Sequence, residues 1–249
     1  MPEGHLLHRT ASELSADLAG SAVAASSPQG RFDAAPVDGC TVTGAEAYGK
    51  HLLVHLQDGP AVHVHLGMRG LFLRYPDPAT PPRGGVRLRL AGPVAWDLIA
   101  PTTCELLDAA GTARLVGTLG PDPLRADASA QEAVARLRTA RGPVGAAIVD
   151  QAVWAGVGNA WRAELLFLAR LDPVTPASSL SQEQAAQLWD LTARSMALGR
   201  DAGQVVSDPT APDERWVYKR ETCRSCGAPV RTAQVAGRTS YSCPVEQTG

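Results

Sequence analysis

The sequence contains very little lysine. Lys50 and Lys219 are the only two among 23 basic residues, and the rest are arginine. An arginine guanidinium stays protonated in proteins, whereas a lysine amine can lose its proton and act as a base or nucleophile. This bias favours lysine at positions where an amine is specifically required, with chance retention at the surface as the alternative.

The sequence also lacks long apolar runs and an excess of positive charge. No apolar stretch approaches the roughly 18 residues of a membrane span, and an opening with Glu3, two histidines and Arg9 does not resemble a signal peptide. We therefore expect a cytoplasmic protein. A net charge of -2 counts mildly against a nucleic-acid partner. The 249 residues, 45% of them hydrophobic, leave room for one large or two ordinary globular domains.

Cysteine is limited to five residues, three of which cluster near the end as Cys223-x2-Cys226-x16-Cys243. An odd number with this spacing favours metal binding over disulfides. Two such knuckles at the ends of a hairpin are typical of a zinc ribbon, although Glu246 stands at the fourth position. A carboxylate can also ligate zinc, so we predict a site of these four residues. A weakened site and a metal-free hairpin are the alternatives.

The first half of the chain predicts one helix followed by strands. Four apolar residues share a face of a helix over residues 3–19 that Gly20 ends, namely Leu7, Ala11, Leu14 and Leu18. Apolar and polar residues alternate on either side of Asp58-Gly59, which predicts a β-hairpin over residues 52–66. Further strands are predicted over 86–90, 94–99 and 102–107. Such strands are typical of an antiparallel sandwich or barrel.

The second half predicts helices. A break at Gly120-Pro121-Asp122-Pro123 separates it from the strands. Two capping boxes, Ser129 with Glu132 and Ser181 with Gln184, predict helices to about residue 140 and to about residue 198, where Gly199 follows. A turn over 156–159 leads into a third helix over about 160–169. The tail from Trp216 has too few apolar residues for a core of its own and needs a metal.

Pro2 and Glu3 follow the initiator methionine, whose removal a small second residue permits. The exposed group is then a secondary amine with a pKa of about 7.7–8.0, so part of it is unprotonated at neutral pH. Such an amine can attack a sugar carbon and form an iminium, and Glu3 can donate or shuttle a proton beside it. Both residues are also common at the start of a helix, which is the plainer explanation when they are taken alone.

Lysine and histidine gather around the predicted hairpin. Tyr48-Gly49-Lys50 places the lysine amine at the start of a strand, where it can face a cleft or blunt an exposed edge. Four histidines follow on the same strands: His51, His55, His63 and His65. Two of them share one strand face, as metal ligands do in some barrels. No carboxylate follows at a telling spacing, so a solvated or DNA-facing strand edge is favoured over a metal site.

Six motifs occur in a fixed order along the chain. They are Met1 to His5, Gly49 to Leu52, His65 to Gly70, Leu119 to Leu124, Asp150-Gln151 with Ala155 to Glu164, and Gly237-Arg238. Together they resemble the formamidopyrimidine-DNA glycosylase / endonuclease VIII (Fpg/Nei) family over nearly the whole chain. His5-x2-His8 and Trp161-Arg162-Ala163-Glu164 look most like actinobacterial members of the endonuclease VIII branch.

The resemblance implies an α+β fold of two domains. Residues 1–119 form an antiparallel β-sandwich with an N-terminal helix, and residues 120–126 the linker. Residues 127–215 form a helical domain with a helix–two-turns–helix motif, and residues 216–249 a zinc-ribbon-like β-hairpin. Zinc would only fold that hairpin, and no cofactor takes part in the chemistry. The expected partner is damaged double-stranded DNA, bound by a monomer.

The resemblance also implies a bifunctional DNA glycosylase and AP lyase of base excision repair. Pro2 would attack C1′ of a flipped nucleotide, expel the base and form a Schiff base, while Glu3 protonates the opening sugar. Lys50 would assist elimination on the 3′ side and contact a flanking phosphate. Arg238 would hold the phosphate of the flipped nucleotide and assist the second elimination.

Two further residues are implied to contact DNA. Asn159 would bind a phosphate at a helix N-terminus, and Met68 would wedge into the space of the extruded base. Gly67-Met68 is similar to the Fpg branch, which prefers oxidised purines, whereas the ends of the chain are similar to the endonuclease VIII branch. We therefore predict oxidised pyrimidines as substrates, with oxidised purines as the alternative.

Three other functions stay open. A catalytically impaired relative that only binds damaged DNA predicts a retained Met1 or a buried amine. A β-barrel metalloenzyme predicts a metal held by the histidines, and a zinc-ribbon interaction module leaves residues 1–119 unexplained. Glu246 also departs from the family, which has cysteine there. If the zinc-ribbon-like hairpin is not rigid, Arg238 is no longer held in position, and lesion binding weakens.

Overall fold

The computed structural model describes residues 2–248, which form two compact units divided between Gly117 and Thr118. The predicted linker begins at residue 120, just after this division. The predicted removal of Met1 stays a prediction, because Met1 lies outside the described residues.

The first unit contains two antiparallel sheets and two helices. Its elements are α1 (Gly4–Leu18), β1 (Ala24–Ser26), β2 (Val42–Tyr48), β3 (His51–Leu56), β4 (Ala61–His65), β5 (Leu71–Tyr75), β6 (Val86–Ala91), β7 (Ala95–Ile99), β8 (Thr103–Leu107) and α2 (Ala109–Gly117). One sheet has the strand order β1-β6-β7-β5 and the other β2-β3-β4-β8. This arrangement confirms the predicted antiparallel β-sandwich with an N-terminal helix.

The apolar face of α1 and both sheets share one core. Leu7, Leu14 and Leu18 are buried on the helix, as their spacing predicts. They pack with apolar residues of both sheets, among them Leu52 of β3 and Leu98 of β7. The core therefore places the start of α1 in the same unit as the β3–β4 hairpin.

The β3–β4 hairpin was predicted from its turn. Leu52 pairs with Val64 and Leu53 with His63 across the two strands. Asp58 adopts the left-handed conformation with φ 52°, which Asp tolerates better than most residues in a tight turn.

Four elements of this unit were not predicted: β1, β2, β5 and α2. The strand β2 contains small residues and a glycine where its pairing with β3 shifts register between Val42 and Gly44, so it lacks a clear apolar alternation. The helix α2 lies where only strands were expected. The Asp108 carboxylate accepts a hydrogen bond from the Gly111 backbone N–H at 2.6 Å, which satisfies a free donor at the helix start.

The second unit is helical and ends in a β-hairpin. Its elements are α3 (Ala130–Thr139), α4 (Val144–Ala147), α5 (Asn159–Leu168), a 3-10 turn (Ala177–Ser179), α6 (Gln182–Ala202), β9 (Arg231–Val235) and β10 (Arg238–Ser242). Its core is centred on Trp154, Trp161 and Leu188. The α+β class predicted from the sequence is confirmed.

One of the two predicted capping boxes is complete, and the other is half formed. Ser181 forms the reciprocal box with Gln184. The Ser129 side chain accepts from the Glu132 backbone N–H, but the Glu132 side chain pairs with Arg136 instead of returning to Ser129.

The predicted end of α6 at Gly199 was wrong. Gly199 is buried inside the helix, which continues to Ala202. The helix ends at Gly203, whose left-handed conformation with φ 72° is a common helix stop that favours glycine.

The helices of this chain are too short or too polar to cross a lipid bilayer, as far as the described residues show.

Candidate functional site

Pro2 and Glu3 lie at the start of α1. Glu3 is the residue that precedes the first helical turn, and its backbone carbonyl accepts a hydrogen bond from the Leu6 N–H at 2.9 Å. Its side chain is 1% exposed, whereas Pro2 is half-buried. The positive end of the α1 dipole favours a carboxylate at this position. The structure thus holds a carboxyl group inside the unit, one residue from the Pro2 nitrogen.

Lys50 lies in the two-residue turn between β2 and β3. Tyr48 and His51 pair across this turn, and Gly49 adopts φ 59°. A positive φ at the first of the two central positions is typical of a type II′ hairpin turn and favours glycine. The lysine is half-buried, and it comes one residue before the strand at whose start it was predicted.

Two histidines of β3 and β4 form a hydrogen-bonded chain with Glu105. His63 Nδ1 lies 2.9 Å from the Glu105 carboxylate, and His63 Nε2 lies 2.9 Å from His51 Nδ1. His63 is 3% exposed, so the prediction of a solvated or DNA-facing strand edge was wrong for this residue. The carboxylate that the sequence did not reveal comes from β8, which pairs His63 with Glu105.

The rings at the Lys50 end of this chain stay neutral at neutral pH. Burial lowers the pKa of His51 to about 4, and the charges of His65, His63 and Lys50 act in the same direction. Burial and Lys50 also lower the pKa of His65. His55 is separate from this set and lies 3.0 Å from the Glu46 carboxylate. Among the described residues, the histidines do not converge on a metal-binding arrangement.

Met68 lies at the tip of the loop after β4 and is 77% exposed. Gly67 adopts φ 65°, and a Cβ there would lie 1.8 Å from the Thr102 hydroxyl. A Cβ on Gly70 would lie 2.3 Å from the Leu66 carbonyl oxygen. The two glycines therefore allow a tight loop that presents a large apolar side chain to solvent.

The C-terminal hairpin brings the three predicted cysteines together. The sulfurs of Cys223, Cys226 and Cys243 all lie within 4.8 Å of one another, and those of Cys226 and Cys243 are 3.5 Å apart. The Glu246 backbone N–H donates to Cys243 Sγ at 3.4 Å, a contact that stabilises a thiolate. Three converging thiols with N–H donors fit a tetrahedral zinc site on three of its corners.

The Glu246 carboxylate lies outside this group of sulfurs. It accepts a hydrogen bond from the Ser225 hydroxyl at 3.0 Å and pairs with the Arg170 guanidinium at 3.3 Å. The structure therefore places Glu246 beside the knuckle but directs its side chain to other partners.

Arg238 and Asn159 are neighbours in the second unit. Ala236 and Gly237 both have positive φ, 52° and 69°, as a type I′ turn requires, and Arg238 follows as an exposed residue. Asn159 is the first residue of α5, and its Nδ2 donates to the Thr239 carbonyl at 3.0 Å. The side chain of Asn159 is thus engaged within the protein, next to the exposed arginine.

Two buried charges on α5 hold the hairpin in place, and their importance was not recognised from the sequence. The Arg162 guanidinium donates to the Val235 carbonyl at 2.9 Å, to the Gly145 carbonyl at 3.3 Å and to the Asn159 side chain. The Glu164 carboxylate accepts from three consecutive backbone N–H groups, at 2.8–3.0 Å, and from the Ser207 hydroxyl. The sequence signal for these contacts was the presence of two charged residues in a largely apolar helix, because buried charges require partners.

Both halves of the chain match known protein families. Residues 1–99 match the formamidopyrimidine-DNA glycosylase N-terminal domain, and residues 119–208 match the formamidopyrimidine-DNA glycosylase H2TH domain. Endonuclease 8 1 of Mycobacterium tuberculosis is 41% identical over 268 residues, with all of both chains covered. Probable endonuclease 8 2 of Streptomyces coelicolor is 33% identical, covering 100% of this chain and 95% of the relative.

The fold also matches solved structures. MutM (Fpg) from Thermus thermophilus superimposes with a TM-score of 0.81 at 28% identity, covering 99% of this chain and 98% of the other. The Lactococcus lactis Fpg in a complex with abasic-site DNA gives a TM-score of 0.82 at 22% identity, covering 99% and 100%. The second likeness concerns the fold alone.

Proposed function

Because the chain belongs to the formamidopyrimidine-DNA glycosylase / endonuclease VIII family, we propose that it is a bifunctional DNA glycosylase and AP lyase of base excision repair. The observation that carries this function is the start of α1, where half-buried Pro2 directly precedes the buried carboxyl group of Glu3. An amine beside a protected proton donor is what Schiff-base chemistry on a sugar requires.

We propose the following roles for the residues of the first unit. The Pro2 nitrogen attacks C1′ of a flipped nucleotide, the bond from C1′ to the base breaks, and the departing base takes up the proton that the amine loses. The bond from C1′ to the sugar ring oxygen then opens, which leaves an iminium between Pro2 and C1′. Glu3 donates the proton that the opening sugar ring oxygen takes up. Lys50 then assists elimination on the 3′ side, in which C2′ loses a proton, the C3′–O bond breaks and the phosphate leaves with the 3′ fragment of the strand. Met68 fills the space of the flipped nucleotide, a role that its exposed position supports.

The second unit supplies phosphate contacts. Arg238 is exposed at the tip of the hairpin, which supports its proposed contact with the phosphate of the flipped nucleotide and its help in the second elimination. Asn159 holds the hairpin through Thr239, and it stands at the N-terminus of α5, where backbone N–H groups favour an anion. We propose that Asn159 and Arg238 contact neighbouring phosphates of damaged double-stranded DNA. The protein would therefore act on the bacterial chromosome, in the cytoplasm.

Zinc is the one metal that the family and the cysteine cluster imply. We propose that Cys223, Cys226 and Cys243 hold one Zn²⁺ ion, which contributes folding free energy to the hairpin and no step of the reaction. Glu246 is our candidate for the fourth position. To reach it, the carboxylate must leave Arg170 and Ser225, so this ligand is the weakest of the four.

We propose oxidised pyrimidines as the main substrates. The identity of 41% to a protein named as an endonuclease 8 supports this branch, whereas the Gly67-Met68 loop resembles the Fpg branch and keeps oxidised purines as the alternative.

The test is borohydride trapping with purified protein on labelled duplexes that carry an oxidised pyrimidine, an oxidised guanine or an abasic site. We expect a covalent adduct with the unaltered chain, strongest with the pyrimidine lesion among the damaged bases. Pro2→Gly should keep its fold by circular dichroism but lose most base excision and trapping, because it lacks the secondary amine.

Two results would count against this function. Unchanged excision by Pro2→Gly would sink the nucleophile assignment. If the unaltered chain forms no adduct with any duplex, including abasic DNA, but still binds lesions, the catalytically impaired DNA-binding alternative holds.

A further inference from the structure

A continuous chain of side chains crosses three strands and ends beside Lys50. It begins at Glu105 on β8, passes through His63 on β4 and reaches His51 on β3, with 2.9 Å at each link. The strand register explains the arrangement, because His63 lies directly opposite Glu105 and one pleat along from the pair of His51 and His65. Side chains that share a sheet face at this spacing can contact each other.

The donors and acceptors in this chain follow from its carboxylate end. An ionised carboxylate only accepts hydrogen bonds, so His63 Nδ1–H donates to Glu105. In the neutral ring, His63 Nε2 then carries a lone pair and accepts from His51 Nδ1–H. The second nitrogen of His51, Nε2, is left with its lone pair. The chain thus selects one tautomer of His51, as a carboxylate behind a histidine does at many active sites.

The two ends of the chain differ in their contact with solvent. The Glu105 side chain is 51% exposed and the His63 side chain 4% exposed, so the anchor is solvated while the middle of the chain is dry. At the inner end, the His51 ring lies 4.9 Å from the His65 ring. The Lys50 charge acts on both of these rings and disfavours their protonation. Two neutral imidazoles therefore stand next to the one lysine of this unit.

A buried histidine with a purely structural role needs one hydrogen-bond partner for each ring nitrogen, and the order of those partners has no consequence. This chain has a direction, since each link fixes the next, and its open end lies at the residue with the proposed lyase role. That combination of direction and position distinguishes it from a structural hydrogen bond.

We propose that Glu105 and His63 are positioning residues for strand cleavage: they hold His51 in the Nδ1–H tautomer, so that its Nε2 lone pair accepts a hydrogen bond from the Lys50 amine and orients it. This inference rests on the proposed function, because it assumes that Lys50 acts in the elimination step. The initial attack by Pro2 does not depend on the chain.

The test separates elimination from iminium formation. On abasic DNA, strand cleavage and borohydride trapping are measured as single-turnover rates for the unaltered chain, Glu105→Leu and Glu105→Gln. Leucine removes the acceptor, so we expect strand cleavage to slow about tenfold with little change in trapping, as for other partners that orient a functional histidine. Glutamine keeps an acceptor oxygen for His63 and should restore cleavage to near the unaltered rate. Because Glu105 is half-exposed, neither change should unfold the sheet.

The tautomer itself is read from the ¹⁵N resonances of the histidines in the full chain. We expect His51 protonated at Nδ1 and unprotonated at Nε2, and a shift toward the Nε2–H form in Glu105→Leu. His55→Gln is the control, since His55 lies on the same strand but outside the chain, and it should change neither rate nor tautomer.

The outcomes are distinguishable. Equal cleavage by Glu105→Leu and the unaltered chain, or an Nε2–H tautomer of His51 in the unaltered chain, would overturn the positioning role while normal trapping leaves the glycosylase function intact. Absence of trapping by the unaltered chain would instead reject the proposed function on which this inference depends.

Discussion

Arg162 and Glu164 show how single residues on one helix can position a separate hairpin. Both side chains are fully buried on α5, and they contact different ends of the segment that carries the cysteines and Arg238. Arg162 reaches the carbonyls of the β9–β10 turn, and Glu164 the backbone N–H groups of residues 216–218. Both also have partners elsewhere in the unit, but several of their hydrogen bonds form only when this segment is docked, so each side chain couples the position of the segment to folding of the unit.

The prediction at this scale concerns Glu164. Glu164→Gln replaces a carboxylate that accepts several hydrogen bonds with an amide that offers one acceptor and places N–H donors against N–H donors. We expect a loss of about 3 kcal/mol in the free energy of unfolding, measured by urea denaturation of the zinc-loaded protein. The cysteine thiols should also react faster with a thiol reagent.

The matched control is Glu132→Gln. Glu132 lies on the surface of α3 and pairs with Arg136 one turn away. Such an exposed ion pair contributes less than ~1 kcal/mol to the free energy of unfolding. A similar loss of stability in both variants would mean that the Glu164 contacts do not hold the hairpin.

At the scale of elements, the C-terminal hairpin combines a metal site with contacts to the rest of its unit. Its side chains pack on α5 through a small apolar cluster that includes Ala163, Phe167 and Val217. Gln247 is buried and donates to the Leu171 carbonyl at 2.8 Å, and Arg231 pairs with Asp172. The hairpin is therefore held by packing and hydrogen bonds as well as by the three cysteines.

The prediction for this element concerns the fourth corner of the zinc site. Glu246→Cys places a thiol where the carboxylate now turns to Arg170 and Ser225. Four thiolates bind zinc more tightly than three with a carboxylate, so we expect higher zinc affinity in competition with a chelator and a higher melting temperature. Glu246→Gln is the control, because it keeps an acceptor for Ser225 and removes the charge.

The two variants separate the possible roles of Glu246. If the carboxylate ligates zinc, Glu246→Gln should lower zinc affinity. If it only pairs with Arg170, zinc affinity should stay unchanged in the glutamine variant. No change in zinc affinity or melting temperature with Glu246→Cys would mean that the hairpin does not depend on this position.

At the scale of the whole molecule, charge is nearly balanced, with 23 basic and 25 acidic residues. DNA contact must therefore depend on a few placed groups, such as Arg238, rather than on a uniformly basic surface. Acid stability is also a property of the whole molecule, because buried groups with shifted pKa values decide how many protons the folded chain takes up compared with the unfolded chain.

The whole-molecule prediction is a loss of stability between about pH 6.5 and pH 4. The pKa of His51 falls from an ordinary 6.5 to about 4 on folding, chiefly through burial, and that of His65 is also lowered. In this window the unfolded chain binds protons that the folded chain excludes, so stability decreases as pH falls. For His51 the loss is on the order of 2 kcal/mol once the solvated part of the ring is allowed for.

The measurement is the free energy of unfolding as a function of pH for the unaltered chain and for His51→Phe, which cannot take up a proton. The phenylalanine variant should lose less stability across the window. Parallel pH profiles for the two proteins would contradict the assignment of this effect to His51.

Much of the local structure could be predicted because its causes lie within a few residues of one another. The apolar face of α1, the turn at Asp58, the cap at Ser181 and the spacing of the three cysteines all depend on neighbours in the sequence. The sequence alone therefore determined the helix α1, the β3–β4 hairpin, the cap of α6 and the grouping of the cysteines, and its family resemblance implied the fold class.

Contacts between residues far apart in the sequence follow from the tertiary structure and could not be predicted. His63 and Glu105 are 42 positions apart and Asn159 and Thr239 are 80 apart, and no periodicity links either pair. Their contacts follow from the register of β4 with β8 and from the docking of the hairpin on α5. Strand register and docking are set by the summed packing of many residues, so a side chain's sequence neighbours do not reveal its partner.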